Sequence, residues 1–149
     1  MNIEPIGFVK SEIIYPYDQA WGEVISEIIV NEEYAKGIIG LEDFSHAIII
    51  FYMHKASYVE EKHLVRHPRE QQDLPKIGIF AQRARHRPNP IGITTVRIIS
   101  VEGNTLTVKG LDAINETPVL DIKPYYPIFD KRDDASTPDW VQEIMKNYF

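Results

Sequence analysis

The sequence predicts a mainly β protein, a small antiparallel β-barrel with a few short helices, and three observations carry that expectation. Isoleucine outnumbers leucine 22 to 6, and β-branched side chains, stiff at χ1, favour a pleated surface. Short apolar runs are broken repeatedly by Gly, Pro, Asn and Asp, the punctuation of strands and turns. Only the C-terminus carries a helical apolar spacing of any strength. Many short strands with few helices close most readily into a barrel.

Taken in order, strands are expected at Ile6–Lys10, Val24–Val30, His46–His54, Ile77–Ala81, Ile91–Val101, Thr105–Leu111 and Val119–Ile122. Glu102-Gly103-Asn104 joins two of these as a hairpin, because Gly and Asn tolerate positive φ. A short helix is expected over Glu32–Lys36 with Asn31 as its N-cap. A second follows Thr137 as cap and Pro138 in the first helical position, with Trp140, Ile144 and Tyr148 forming a packing stripe at spacing four. Ser57–Lys76 is polar, contains Pro68 and Pro75, and reads as a long connection. Such loops are often functional or poorly ordered.

At 149 residues the chain is expected to form one domain, 1–149, with a core that needs no metal or disulfide staple. It contains no cysteine, which suits a reducing compartment. No signal-peptide pattern opens it and no apolar run approaches the roughly 20 residues of a membrane helix. A cytoplasmic protein with no membrane partner is the expectation. The net charge of −6 argues against indiscriminate coating of nucleic acid. Yet eight of the sixteen Lys and Arg lie between Lys62 and Arg97, with only Glu70 and Asp73 opposing them and His63, His67 and His86 nearby. A basic segment on an acidic body suits a polyanion that docks at one place, although a solvated loop has the same composition.

Within that segment, Arg85–Gly92 reads RHRPNPIG. Each proline holds φ near −65° and pushes its predecessor towards extended geometry, so the octet is a stiff loop able to hold arginines at fixed angles. A rigid strand entry with solvated arginines would look the same.

The chain has no GxGxxG or Walker pattern, so a nucleotide-like cofactor would not rest on a Rossmann turn or a P-loop. It has neither a nucleophile elbow nor a cysteine, which leaves covalent acyl chemistry without support. His63 and His67 are spaced for one helix face and His46 and His54 for one strand face, but no HExxH occurs and no metal is expected. What remains is a polar set along the second half: Arg83, Arg85, Arg87, Asn89, Asp112, Asn115, Asp121, Lys123 and Tyr125. On a regular strand Asp121 would share a face with Val119, hence be partly buried and chemically perturbed. A surface ion pair is the other reading.

Three strings, GLEDFSHAIIIFYMHKA (Gly40–Ala56), GIFAQRARHRPNPIG (Gly78–Gly92) and GLDAINETPVLDIKPYYPIFD (Gly110–Asp130), together resemble the TsaA-like family. Its bacterial members methylate N6 of threonylcarbamoyladenosine beside a tRNA anticodon. The resemblance runs from the opening IGFVKSE to Asp130, and it implies a barrel that binds S-adenosylmethionine and works as a homodimer. By the same resemblance, Gln19, Ala20, Trp21, His54, Lys55, Arg83, Ile93, Leu111, Asp112, Ala113 and Ile114 would hold the cofactor. Asp121 is the candidate base or orienting group and Asn89 the candidate that holds the acceptor. Arg66, Arg69, Arg85 and Arg87 are available to the RNA.

The chain departs from its relatives in three ways. Asn115-Glu116 stands where bacterial members usually have Asp-Gly, and YPYDQAWGE where many have a PRQPG-like loop. The larger bacterial enzymes carry an additional C-terminal domain thought to help hold tRNA, and this chain is expected to be a short form without it. Two alternatives therefore stay open: a methyltransferase of the same barrel for a small-molecule acceptor, and a non-catalytic dimeric module that binds S-adenosylmethionine.

Overall fold

The computed structural model describes all residues, Met1–Phe149. In chain order the strands are β1 (Gly7–Lys10), β2 (Ile25–Val30), β3 (His46–Tyr52), β4 (Val65–Arg66), β5 (Ile77–Gly78), β6 (Ile91–Glu102), β7 (Thr105–Lys109) and β8 (Pro118–Pro124). The helices α1 (Glu60–His63), α2 (Pro127–Asp130) and α3 (Asp139–Met145) are short. Six strands close into an antiparallel barrel in the order β1-β2-β7-β6-β3-β8, while β4 and β5 pair separately. The expected barrel is present.

Strand alternation builds its interior. Val9, Ile28, Val30, Ala47, Ile49, Phe51, Val96, Leu106, Val108 and Val119 point inward from six strands and are almost wholly buried. Burying a side chain of this size contributes about 1.5–3 kcal/mol. Ile38 and Leu41, from 3-10 turns at Glu32–Ile38 and Leu41–Asp43, join the same core.

The antiparallel order divides the connections between two ends, and the end that carries the longest of them, residues 53–90, is the long-loop end. At one end lie the segment between β2 and β3 and the two-residue turn between β6 and β7. The other end receives all three remaining connections: residues 11–24, 53–90 and 110–117. The chain leaves β8 at the first end, and its C-terminal segment returns to the second. There Asn147 and Tyr148 accept hydrogen bonds from the Ala20 and Trp21 amides, each at 2.8 Å. A site assembled from separated stretches therefore has one natural address, the long-loop end.

Several local expectations are corrected. The run Ile77–Ala81 is a strand only over Ile77–Gly78; Ile79–Ala81 is a 3-10 turn, with Ile79 buried and Phe80 exposed. The first helix is a 3-10 turn extending to Ile38, and Asn31 does not cap it, because its amide donates to the Pro5 carbonyl at 3.1 Å. Helix α3 begins one residue later than expected, with Pro138 rather than Thr137 in the cap position. At the hairpin only Gly103 takes positive φ (61°); Asn104 instead donates its side-chain amide to the Val30 carbonyl. Because α1 stops at His63 and β3 at Tyr52, neither histidine pair shares one regular element.

One correction bears on chemistry. Successive residues Ile50 and Phe51 of β3 pair with Asp121 and Val119 of β8, so Leu120 is an extra residue and the strand bulges there. Val119 and Ile122 consequently both follow inward-facing partners, and Asp121 lies on the outer face opposite Ile50. The expected shared face with Val119 is lost.

Candidate active site at the long-loop end

Eleven residues were expected to hold a cofactor, and the topology brings them to one end of the barrel from three connections and the first residues of β6. Trp21 anchors the first stretch. It is fully buried, its indole donates to the Tyr17 carbonyl at 2.8 Å, and its ring stacks on Tyr17. Its neighbour Ala20 is held at φ 62°, a left-handed conformation that a non-glycine residue keeps only where its surroundings enforce it. Gln19 is exposed.

The second stretch follows β3. The Met53 amide donates to the Pro90 carbonyl at 2.8 Å, tying this strand end to the RPNP loop. Beside it, His54 has a buried Nδ1 without a hydrogen-bond partner. Burial first, then the charge of Lys55, lowers its pKa against an opposing effect of Glu116. A neutral imidazole with an unsatisfied nitrogen follows. Lys55 donates to the Ile14 carbonyl and sits over the Tyr15 ring, which joins the first two stretches.

Arg83 is exposed and donates one Nη to the Ile93 carbonyl at 2.7 Å. A guanidinium has five N–H donors, so most remain for a ligand. Next to it Asp112 receives the Thr94 hydroxyl on one carboxylate oxygen and the Tyr148 hydroxyl, at 2.6 Å, on the other. Leu111, Ala113 and Ile114 are buried around it. Burial and the Asp112 charge push the Tyr148 phenol strongly upward, against a smaller opposing effect of Arg83. It therefore remains a donor through neutral and mildly alkaline pH.

Tyr148 and Thr94 were not among the sequence candidates. Tyr148 had been assigned to a packing stripe; Ile144 is indeed buried, but Tyr148 lies beyond α3 and carries a polar contact. The turn just before TPVLDIKPY is equally informative. Asn115 accepts from the Ser11 amide through its side chain and donates its own amide to Ile13. Glu116 then adopts φ 64°, so this chain holds the left-handed turn with a glutamate.

The catalytic candidates lie apart from that cluster. Asn89 is exposed on the RPNP loop. Asp121 is half-exposed, pairs with Lys123 at 2.7 Å, and accepts from the Ile122 amide. Through Ile50 it belongs to the row that reaches Ile93 across β8, β3 and β6.

The basic segment divides. Arg87 donates to the Gln82 and Ala84 carbonyls and so braces its own loop. Arg85 donates from Nε to His86 Nε2 at 3.2 Å, which leaves His86 Nδ1–H to donate to the Ser57 carbonyl at 2.7 Å. His86 stacks on His63, and burial lowers its pKa. Arg66 has a buried Nε without a partner and lines a cleft of about 560 Å³ with Lys62, His63, His67 and Lys76, and with Glu61 and Glu70 among them. Arg69 lies elsewhere, donating to the Asp18 carbonyl beside a cavity of about 180 Å³ that Gln19 and Asn147 also line. That cavity is smaller than the roughly 300 Å³ of ordinary ligand pockets. No group of three or more His, Asp or Glu side chains is placed to hold a metal ion.

The family described as tRNA-methyltransferase O N-terminal domain matches residues 11–131. The chain belongs to this family. Among its relatives, an S-adenosyl-L-methionine-binding protein of Archaeoglobus fulgidus is 40% identical over 87% of this chain and 93% of its own length. The tRNA (adenine(37)-N6)-methyltransferase of Homo sapiens is 36% identical over 91% of this chain, but the match spans only 32% of that enzyme. The crystal structure of a Pseudomonas aeruginosa member, TrmO, superposes with a TM-score of 0.76 at 28% identity, covering 94% of this chain and 61% of that one. The resemblance to a TsaA-like, TrmO-type barrel is thus correct for this chain. No helix is long and apolar enough to cross a membrane.

Proposed function

We propose that this TrmO-family barrel is an S-adenosylmethionine-dependent methyltransferase that methylates N6 of threonylcarbamoyladenosine beside a tRNA anticodon. The observation that carries the proposal is the convergence of Gln19–Trp21, His54–Lys55, Arg83, Ile93 and Leu111–Ile114 at one end of the barrel. The chemistry available there fits the cofactor. His54 offers an unsatisfied buried nitrogen, Arg83 has spare donors for a carboxylate, and the Asp112 carboxylate is oriented by two hydroxyls. When bound, S-adenosylmethionine supplies an electrophilic methyl group on a sulfonium.

The acceptor nitrogen lies between a purine and a urea carbonyl, so its lone pair is delocalised and its proton must leave as the methyl arrives. Alignment and help with that proton dominate such a reaction. Asn89, held on a stiff loop, is the residue to orient the acceptor. Asp121 assists with the proton once it leaves Lys123. Arg66 in its cleft and Arg85 on the RPNP loop suit phosphates of the RNA backbone; Arg87 acts by bracing that loop, and Arg69 by lining the cavity beside Gln19. A cytoplasmic location follows from such a substrate. A homodimer would cover Tyr52, Ile91 and Ile93, apolar side chains about half exposed and paired across β3 and β6.

The test is methyl transfer from labelled S-adenosylmethionine to tRNA with and without threonylcarbamoyladenosine. Label confined to the modified tRNA supports the proposal. Cofactor binding with no transfer to either would favour a binding module, the description carried by the relative from Archaeoglobus fulgidus.

A further inference from the structure

The C-terminal residues of the chain make contacts that packing alone does not require, and those contacts fall on candidate cofactor residues. Backbone carbonyls of Asn147 and Tyr148 accept the amides of Ala20 and Trp21 at 2.8 Å. A Cβ on Gly22 would lie 2.7 Å from the Phe149 backbone, so the two segments touch closely. The Tyr148 hydroxyl donates to Asp112 at 2.6 Å. The family model matches residues 11–131, so Asn147–Phe149 lie outside it.

Chemically, the result is a carboxylate held from both sides. Thr94 donates to one oxygen and Tyr148 to the other, which fixes the plane of the group. An ionised carboxylate has about four acceptor directions, so about two remain for a ligand's ammonium, amino or hydroxyl donors. Without Tyr148 the carboxylate would turn, and Ala20 would lose part of the frame that keeps it left-handed.

Building on the cofactor reading above, we infer that Asn147–Phe149 form a wall of the cofactor pocket and that Tyr148 is a positioning residue acting through Asp112. It fixes the carboxylate that reads the hydrogen-bond donors of S-adenosylmethionine.

The test is calorimetric binding of S-adenosylmethionine and S-adenosylhomocysteine to the full chain and its variants. Tyr148→Phe removes the hydroxyl and keeps the ring and both backbone contacts. It should weaken both ligands about tenfold, the scale on which loss of a supporting hydrogen bond behind a ligand-binding group is felt. In an Asp112→Ala background the same substitution should cost nothing further, a result that a general packing role would not produce. Wild-type affinity retained in Tyr148→Phe overturns the inference while leaving the cofactor reading intact. An equal loss in the Asp112→Ala background also overturns it. Wild-type protein that binds neither ligand overturns both. A second readout needs no variant: hydrogen exchange of the peptide containing Tyr148 should slow when S-adenosylhomocysteine binds, and unchanged exchange counts against the wall.

Discussion

The barrel interior and the long-loop end are built from the same chain by opposite rules. Inside, ten aliphatic or aromatic side chains from six strands meet without a charged group among them. Each can be placed from strand alternation alone, and each contributes by leaving water. At the loop end, His54, Arg83, Asp112 and Tyr148 come from distant parts of the sequence; hydrogen bonds to backbone or to other side chains hold the last three, while His54 keeps a buried nitrogen unpaired. Strand order decides that the three connections 11–24, 53–90 and 110–117 share an end, while side-chain chemistry decides what they do there. Substitutions in the first region should therefore change stability, and those in the second should change binding.

Ile49→Ala offers the largest effect and the cleanest check on the interior. It should cost about 3–4 kcal/mol, within the range for emptying a fully buried site, read as a lower urea midpoint; a loss below 1 kcal/mol would mean the barrel is loosely packed. Arg83→Ala should do the reverse, weakening S-adenosylmethionine about a hundredfold, as expected for one partner of a charge-assisted pair, with the urea midpoint almost unchanged. Calorimetry beside denaturation separates the two.

Gly92→Ala tests the boundary between the regions. A Cβ there would lie 2.4 Å from the Phe51 ring, which is buried in the core, so the octet needs glycine where it enters β6. A destabilisation of about 1–3 kcal/mol is expected from such overpacking, together with weaker cofactor binding because the loop shifts. Glu116→Gly should stabilise by about 0.5–1 kcal/mol by relieving a left-handed residue, seen as a higher melting temperature; no gain would mean that other contacts of the glutamate offset the strain.

The smallest effect is titration. His54 and His86 have pKa values lowered by burial, so the unfolded chain binds more protons than the folded one as pH falls below about 6.5. Their contribution is complete above that value and disappears as pH drops through the lowered folded values. Between pH 7.5 and 5.5 the wild-type urea midpoint should fall more than that of His86→Asn; equal falls would remove His86 from this account.

The same contrast explains what was legible in the sequence. Ile28, Ile49, Val96 and Val108 announce their strands because alternation is a local signal with a period of two. Ile77–Ala81 has that composition as well, yet Phe80 faces solvent and only two residues pair, since strand length depends on the partner available. Asp121 was placed on the wrong face because one inserted residue, Leu120, reverses the alternation, and nothing in TPVLDIKPY marks the bulge. Family motifs named the cofactor candidates, including Asp112. They could not name Tyr148, whose spacing from Ile144 suits packing and whose contact depends on the return of the chain to the loop end. Pro138 shows the same limit on a smaller scale: by type Thr137 is the cap and Pro138 the first helical residue, yet the helix starts one residue later.

The measurement closest to the central claim is a titration of isotopically labelled protein with S-adenosylhomocysteine, following backbone amide signals. This account predicts shifts in Gln19–Trp21, His54–Lys55, Arg83, Ile93 and Leu111–Ile114, with the β6–β7 turn at Gly103-Asn104 unaffected. Shifts centred instead on the Arg66 cleft, or absent from two of the three connections at this end, would contradict a single cofactor pocket at this end of the barrel.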